Sequence, residues 1–413
     1  MERPGDLYEQ LVSRPKPHGF PDRVVLPDYD GFCVGRIPDL ILAALGLPHT
    51  PGPLVRLVSP PPADRALLII LDGLGYNRFH EMAARDDDVR SLAQSTLCVP
   101  LTTVFPSTTV AALTTYSTGL APSQHGMLGY RLYLREVSAI VNMIQFSIVG
   151  GRSEAPLPEA LPIDRLLACP TLYERLTAQG VTSHLLSPRA IAQSGLSRLL
   201  YRGVAHIQPS LGLSDMLASA RQILSQAQGR TVVTLYWPGL DSAAHARGPG
   251  SDSYLAEAAS VAAAIRREIV GRVPPTLLLI SSDHGFVSMR PSDYLPISAL
   301  RVLKRPPFFF PVGEPRASYL FLHPDDRDEV LSATPTLGEG SLFFIASQEA
   351  LRTGLFGGEP FHPDALARLG DLIAVSTQAP GLLHPYPDAA LLAGMHGGLT
   401  ADEMVVPLLV NSL

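Results

Sequence analysis

Six side chains of the kinds that bind divalent metals, Asp72, Asp241, His245, Asp283, His284 and His396, end or follow apolar, strand-like segments. Between the first two lies a hydroxyl-rich turn, Phe105-Pro106-Ser107-Thr108-Thr109, which runs straight into the small apolar stretch Val110-Ala111-Ala112-Leu113. Carboxylates and imidazoles suit zinc or a similar ion. A hydroxyl beside such an ion gives up its proton more readily and becomes a nucleophile. A helix start adds backbone N–H groups and a positive dipole end, both favourable to a phosphoryl oxygen. The combination predicts metal-assisted hydrolysis at phosphorus.

Each signal alone also has an ordinary structural explanation. Asp72, ahead of Gly73-Leu74-Gly75, suits a turn cap as well as a buried carboxylate that needs a cation. Asp241 and His245 are four residues apart and share a helical face, as many solvated pairs do. Asp283 and His284 are adjacent, so both reach one ion only where the strand gives way to a loop, which Gly285 permits. His396 sits among Gly394, Gly397 and Gly398 on a loop, where most histidines are simply exposed. A threonine at a helix start is ordinarily a cap worth about 1 kcal/mol. Six ligand types and a hydroxyl turn together outweigh these explanations.

The elements that must carry them are legible as well. Continuous apolar runs at 66–71, 231–237 and 276–280 read as strands buried on both faces of a parallel sheet. Helical patterns fall at 109–118, 171–179 and 253–269. Such alternation predicts an α/β fold with a mostly parallel central sheet flanked by helices, and a site beyond the strands' carboxyl ends. Residues 1–64 are rich in Pro and Gly and read as an extended arm with one helical stretch at 37–45. Shorter mixed elements at 317–322, 342–345 and 348–353, with a helix start at Pro324, predict an inserted α+β cap over 290–390. The core then comprises 1–289 and 391–413, closing on an apolar strand at 405–410.

Composition narrows the function. Across 413 residues, 46% hydrophobic and 17% charged content gives ample core for a globular chain. A net charge of −6 without a basic stripe excludes a nucleic-acid backbone binder, but not small anions, because bound ions would set the local charge. Cys33, Cys98 and Cys169 are scattered, so no disulfide framework is expected and a reducing compartment is. The start Met1-Glu2-Arg3-Pro4-Gly5-Asp6 lacks a signal-peptide layout, and no apolar run approaches the roughly 18 residues of a membrane span. A cytoplasmic, non-membrane enzyme acting on a small phosphorylated substrate is the expectation.

On these motifs the chain resembles the type I phosphodiesterase/nucleotide pyrophosphatase family of the alkaline phosphatase superfamily. The resemblance rests on Ile70-Leu71-Asp72-Gly73, on Phe105-Pro106 through Thr118-Gly119-Leu120 to His125-Gly126, and on Asp241 to His245 with Gly248-Pro249. Ser282-Asp283-His284-Gly285 and Gly394-Met395-His396-Gly397 complete it, in the family's order, over residues 66–410. It implies an alkaline-phosphatase-like core with two divalent ions, zinc first and manganese as the alternative. Asp241, His245 and His396 would hold one ion. Asp72, Asp283, His284 and the nucleophile oxygen would hold the other. Thr109 is the implied nucleophile, since the family's lies ten residues before the glycine that ends its helix, here Gly119. Thr108 and Ser107 are the lesser choices.

The implied reaction is hydrolysis of phosphodiester or pyrophosphate bonds through a covalent phospho-threonine. A phosphomonoesterase, a phosphonate hydrolase, a phosphomutase and a non-catalytic, metal-stabilised binding protein are the alternatives. The missing Cys-x-Pro-x-Arg sequence disfavours a sulfatase. Two departures stand out. Thr109 precedes Val110 rather than the Phe-Pro pair usual in nucleotide pyrophosphatases, and Val104 stands before Phe105-Pro106 here. The family's phosphoryl-binding asparagine falls at Tyr130, leaving Asn142 as its substitute. Arg316 and Phe308 to Phe310 of the cap are the other expected substrate contacts.

Overall fold

The apolar runs have no polar face to show water, and the fold covers both of their faces. In a computed structural model they form Arg65–Leu71, Thr231–Trp237 and Leu277–Ser281. The structure describes residues 4–149, 155–156, 166–301, 303–333, 340–386 and 391–413, so the Met1-Glu2-Arg3 start lies outside it. The main sheet has seven strands in the order Leu97–Thr102, Val405–Ser412, Leu277–Ser281, Arg65–Leu71, Thr231–Trp237, Thr182–Pro188, His206–Ser210. Arg65–Leu71 runs parallel to both neighbours, and Val405–Ser412 is antiparallel to both of its own. The mostly parallel α/β sheet expected from the sequence is therefore present.

Alternate residues of the central strand feed two apolar layers, as the two-residue period of a strand requires. Leu67 and Ile69 join the layer under helices Tyr76–Arg85, Leu213–Gln226 and Asp252–Glu268. Ala66, Leu68 and Ile70 join the opposite layer, with helices Thr109–Thr118 and Leu172–Ala178. That second layer also takes in the N-terminal segment. The segment is not merely extended: it forms helices Pro4–Val12, Ile37–Ala44 and Pro53–Val58, with Leu40 and Ile41 fully buried. Its prolines at 38 and 53 sit in first turns, where the missing N–H costs nothing.

A second, eight-stranded sheet faces the carboxyl edge of the first. Its order is Leu342–Ala346, Leu372–Ser376, Ala317–Leu320, Val312–Glu314, Arg131–Leu134, Ala139–Asn142, Ser147–Ile148, Ala155–Pro156. Four strands lie within 290–390, and the other four come from 131–156, just after the helix that begins at Thr109. The layer over the site thus draws on two stretches of chain rather than on 290–390 alone. Every pairing in it is antiparallel, and strands of two to five residues leave little trace in a hydrophobicity pattern. Among the described residues no helix is long and apolar enough to cross a membrane.

Candidate active site

Parallel central strands deliver their carboxyl ends to one edge of the main sheet, and the ligand-type residues gather there. Asp72 follows Arg65–Leu71 directly. Gly73 after it adopts φ +84°, and a Cβ there would lie 2.6 Å from the Phe286 ring and 3.1 Å from Asp241 Cα. Only glycine allows both that turn and so close an approach by the helix Gly239–Arg247, which carries Asp241 and His245. On this helix the four-residue spacing sets His245 Nε2 3.2 Å from Asp241 Oδ1. Asp283 and His284 lie beyond Leu277–Ser281, in the loop that lets both turn inward. Gly285 serves by closeness rather than by a left-handed turn, since a Cβ there would lie 2.0 Å from Asp402 O.

Polar partners fix Asp72 and Asp283 by one oxygen and leave the other bare. The Tyr236 hydroxyl donates to Asp72 Oδ2. Backbone N–H groups of Gly73 and His284 donate to Asp283 Oδ1 at 3.2 and 3.0 Å. Asp72 Oδ1, Asp283 Oδ2 and Asp241 Oδ1 are buried and receive no hydrogen bond from the described residues. The imidazoles are oriented in the same manner. Nδ1 of His245, His284 and His396 faces the carbonyls of Gly394, Gly285 and Ser107 at 2.9, 3.1 and 3.0 Å. A nitrogen against a carbonyl carries the proton, so each Nε2 turns a lone pair inward.

Lone pairs and bare carboxylate oxygens facing one another repel unless a cation lies between them. The proton affinities say the same. Burial, then repulsion from Asp283 and Asp241, holds Asp72 well above the usual carboxylate range. Burial, with His284 and His245 adding to it, pushes His396 well below the usual imidazole range, so it stays neutral and able to ligate. For His245, Asp241 more than offsets the lowering by burial and raises it.

These residues fit divalent cations in two groups. Ligand atoms of Asp72, Asp283 and His284 lie within 4.8 Å of one another, as do those of Asp241, His284 and His396. The second group differs from the expected Asp241, His245 and His396 because the His284 and His396 rings stack with centroids 3.7 Å apart. His245 remains beside Asp241 at its edge.

The hydroxyl turn separates its three candidates by what each touches. Ser107 Oγ donates to Gly398 O at 2.9 Å, and Thr108 Oγ1 donates to Glu314 Oε1 at 2.7 Å. Thr109 Oγ1 lies 3.3 Å from His284 Nε2 and lines a cavity of about 320 Å³ together with Asp241, His245 and His396. Thr109 is the first residue of helix Thr109–Thr118, which ends at Gly119 in the left-handed region.

The expected substrate contacts fare unevenly. Tyr130 lines the cavity, and Asn142 supports it from behind, donating to the Tyr130 hydroxyl at 2.8 Å without reaching the cavity itself. Arg316 is a correction. It is fully buried and ion-paired through two nitrogens to Glu403, at 2.5 and 2.7 Å, and it does not line the cavity. Phe308 and Phe310 are exposed, and Phe309 stacks on Tyr133 and packs at a tilt against Phe321. Sequence reasoning missed Glu314 and Arg131, which both line the cavity. Glu314 also accepts the Tyr130 N–H at 2.8 Å, and burial, opposed by those two hydrogen bonds, raises it to about 7. The one signal for each was a charge inside a short apolar stretch.

Comparison with known proteins follows this geometry. The model of a family described as type I phosphodiesterase / nucleotide pyrophosphatase matches residues 66–398. No curated protein matches the chain by sequence. Among solved structures, human ectonucleotide pyrophosphatase / phosphodiesterase 5 superposes with a TM-score of 0.64 at 17% identity, covering 84% of this chain and 87% of its own. An inactive murine form of that protein, in complex with AMP, gives 0.63 at 14% identity over 84% and 87%. Phosphonoacetate hydrolase from Sinorhizobium meliloti 1021, in complex with phosphonoformate, gives 0.62 at 17% identity over 84% and 90%. At such identities the likeness is one of fold.

Proposed function

The chain belongs to the type I phosphodiesterase / nucleotide pyrophosphatase family, and on that premise we propose that it hydrolyses phosphodiester or pyrophosphate bonds through Thr109. The observation that carries this reading is the convergence of three bare carboxylate oxygens and three inward imidazole nitrogens beside one hydroxyl. Asp241, His245 and His396 would hold one divalent ion, and Asp72, Asp283, His284 and Thr109 the other, with His284 near both. Zinc suits the mixed nitrogen and oxygen ligands, and manganese is the alternative. Such ions, when bound, neutralise phosphoryl oxygens and lower the pKa of a nearby hydroxyl.

The chain's own residues supply the rest. Thr109 Oγ1, at a helix start and lining the cavity, attacks phosphorus in line with the departing oxygen. The Oγ1–P bond forms, the bond from phosphorus to the leaving oxygen breaks, and the hydroxyl proton is released. Water then cleaves the phospho-threonine, returning a proton to Oγ1 and releasing the phosphoryl product. Glu314 holds the turn by accepting from Thr108, so Thr109 presents its hydroxyl from a fixed backbone. Tyr236 and the Gly73 and His284 N–H groups keep two carboxylates aimed inward.

Hydrolysis of bis(4-nitrophenyl) phosphate by protein loaded with zinc, and separately with manganese, tests the reading. Turnover should vanish on chelation and return with metal, and the chelated protein should melt at a lower temperature because the bare carboxylates lose their counter-charge. Metal-loaded protein without turnover of this or any other phosphate or phosphonate ester would leave the metal-stabilised binding protein as the better account.

A further inference from the structure

The loop that carries His396 has little of its own to hold it. The two residues after the imidazole, Gly397 and Gly398, offer no side chain to anchor, so their backbone must be tied from outside. One residue, 289 positions earlier in the chain, makes three of those ties. Ser107 O faces His396 Nδ1 at 3.0 Å, Ser107 Oγ accepts the Gly397 N–H at 3.0 Å, and Ser107 Oγ donates to Gly398 O at 2.9 Å. Three successive residues are thus held by a single serine. Glu403 adds a tie by accepting the Gly398 N–H at 2.8 Å, but it leads to Arg316 and not to the hydroxyl turn.

Residue type and position both matter here. A hydroxyl has one proton and two lone pairs, and Ser107 Oγ spends the proton on Gly398 and a lone pair on Gly397. Alanine can do neither, and Ser107 is fully buried, so bulk water does not compete for either bond. Ser107 also stands two residues before Thr109, the first residue of helix Thr109–Thr118. The Thr108 N–H donates to Pro106 O across Ser107 at 2.9 Å, and Thr108 Oγ1 is fixed on Glu314, so the turn moves as one piece.

An imidazole ligates along a direction set by the partner of its other nitrogen. For His245 and His284 those partners are the carbonyls of Gly394 and Gly285, outside the turn. For His396 the partner is the Ser107 carbonyl. A shift of Ser107 therefore moves the aim of His396 and the proposed nucleophile together.

We infer that Ser107 is a positioning residue: it locks the His396 loop onto the turn that presents Thr109, and so keeps the ion held by Asp241 and His396 in register with that hydroxyl. The inference deepens the reading above, on whose metal centre and nucleophile it rests. It gives Ser107 a part in the site other than attack on phosphorus.

Zinc binding, measured by competition with a chromophoric chelator, tests this without recourse to turnover. Wild-type protein should bind two zinc ions. Ser107→Ala should weaken one of them by about 10- to 100-fold and leave the other within about twofold. With zinc in excess, kcat of this variant on bis(4-nitrophenyl) phosphate should still fall by more than KM changes, because hydroxyl and ion have lost their register. Ser107→Cys keeps the shape with a weaker donor and acceptor. It should weaken the same ion by less, and it guards against an alanine variant that fails to fold. Ser123→Ala is the control: Ser123 is as deeply buried, donates to Gly358 O at 3.0 Å and does not line the cavity. It should lower the melting temperature and leave both zinc affinities unchanged.

Equal weakening of both ions in Ser107→Ala would make the serine a general support of the fold and overturn the inference, as would unchanged affinity for both. Selective loss of one ion in a protein whose wild type hydrolyses no phosphate or phosphonate ester sustains the tie between loop and turn, and overturns the hydrolase reading alone. Wild-type protein that binds neither zinc nor manganese overturns both.

Discussion

The two sheets meet at the cavity and contribute to it in different ways. The seven-stranded sheet offers its chemistry from beyond its strand ends: Asp72 after one central strand, Asp283 and His284 after another, Asp241 and His245 on the helix that follows a third. The eight-stranded sheet offers Arg131 as the first residue of one strand, Glu314 as the last of another, and Tyr130 from the residue before the former. A buried parallel sheet spends its strand interiors on packing, so only its ends are free to carry ligands. The short antiparallel strands of the second sheet likewise bring their ends, at Arg131 and Glu314, to the cavity wall. The first sheet thus gathers the ligand-type groups of the proposed chemistry, and the second walls the cavity beside them.

The largest expected effect breaks the chemical half. Thr109→Ala should lower kcat about 10⁴-fold or more on every substrate alike, with the fold retained. Residual activity near wild type would shift the nucleophile to another hydroxyl and undo the reading of the turn. Thr108 and Ser107 are poorly placed to inherit the role, since their hydroxyls donate to Glu314 and to Gly398.

A smaller effect tests how the halves are joined. Arg316 and Glu403 are both fully buried, and Glu403 also accepts the Gly398 N–H at 2.8 Å, two residues from His396. Gly397 adopts φ +116° with a Cβ position 3.0 Å from Glu314 and 3.7 Å from Arg316, so the His396 loop lies against both of these residues. Arg316→Met leaves Glu403 buried and unpaired, and should cost about 3–5 kcal/mol in thermal or denaturant unfolding. Arg316→Met combined with Glu403→Leu should recover much of that stability. If the single variant melted like wild type, the ion pair would not be what ties the His396 loop to the second sheet.

The same contrast explains what could be read from the sequence. Runs such as 66–71, 231–237 and 276–280 are buried on both faces, so their composition alone announces them, and the ligands stand where those runs stop. Asp72, Asp283 and His284 were legible because a charge at the end of an apolar run is costly without a purpose. The strands Arg131–Leu134 and Ala139–Asn142 were not, because runs of four residues are too short to tell a strand from a loop. Arg316 misled for a related reason. An arginine in a strand-rich cap looks like a substrate contact until its partner, 87 residues away in sequence, is seen to be Glu403. Arg131 was overlooked because its one local mark, a charge inside a short apolar stretch, does not reveal the cavity it lines.

The smallest expected effect falls where the two halves share a hydrogen bond. Thr108 precedes the proposed nucleophile and donates to Glu314 of the second sheet. Thr108→Val keeps the shape and removes one donor from a buried acceptor that still has the Tyr130 N–H. That loss should cost about 1–2 kcal/mol of stability. Because the turn itself is displaced only slightly, kcat should fall by less than about tenfold, far below the loss expected at Thr109. The fall should be the same for a phosphodiester and for a pyrophosphate, since Thr108 steadies the turn and touches neither leaving group. A Thr108→Val variant whose kcat instead fell as far as that of Thr109→Ala would move the nucleophile to Thr108, which also lines the cavity, and the reading of the turn would fail at that residue.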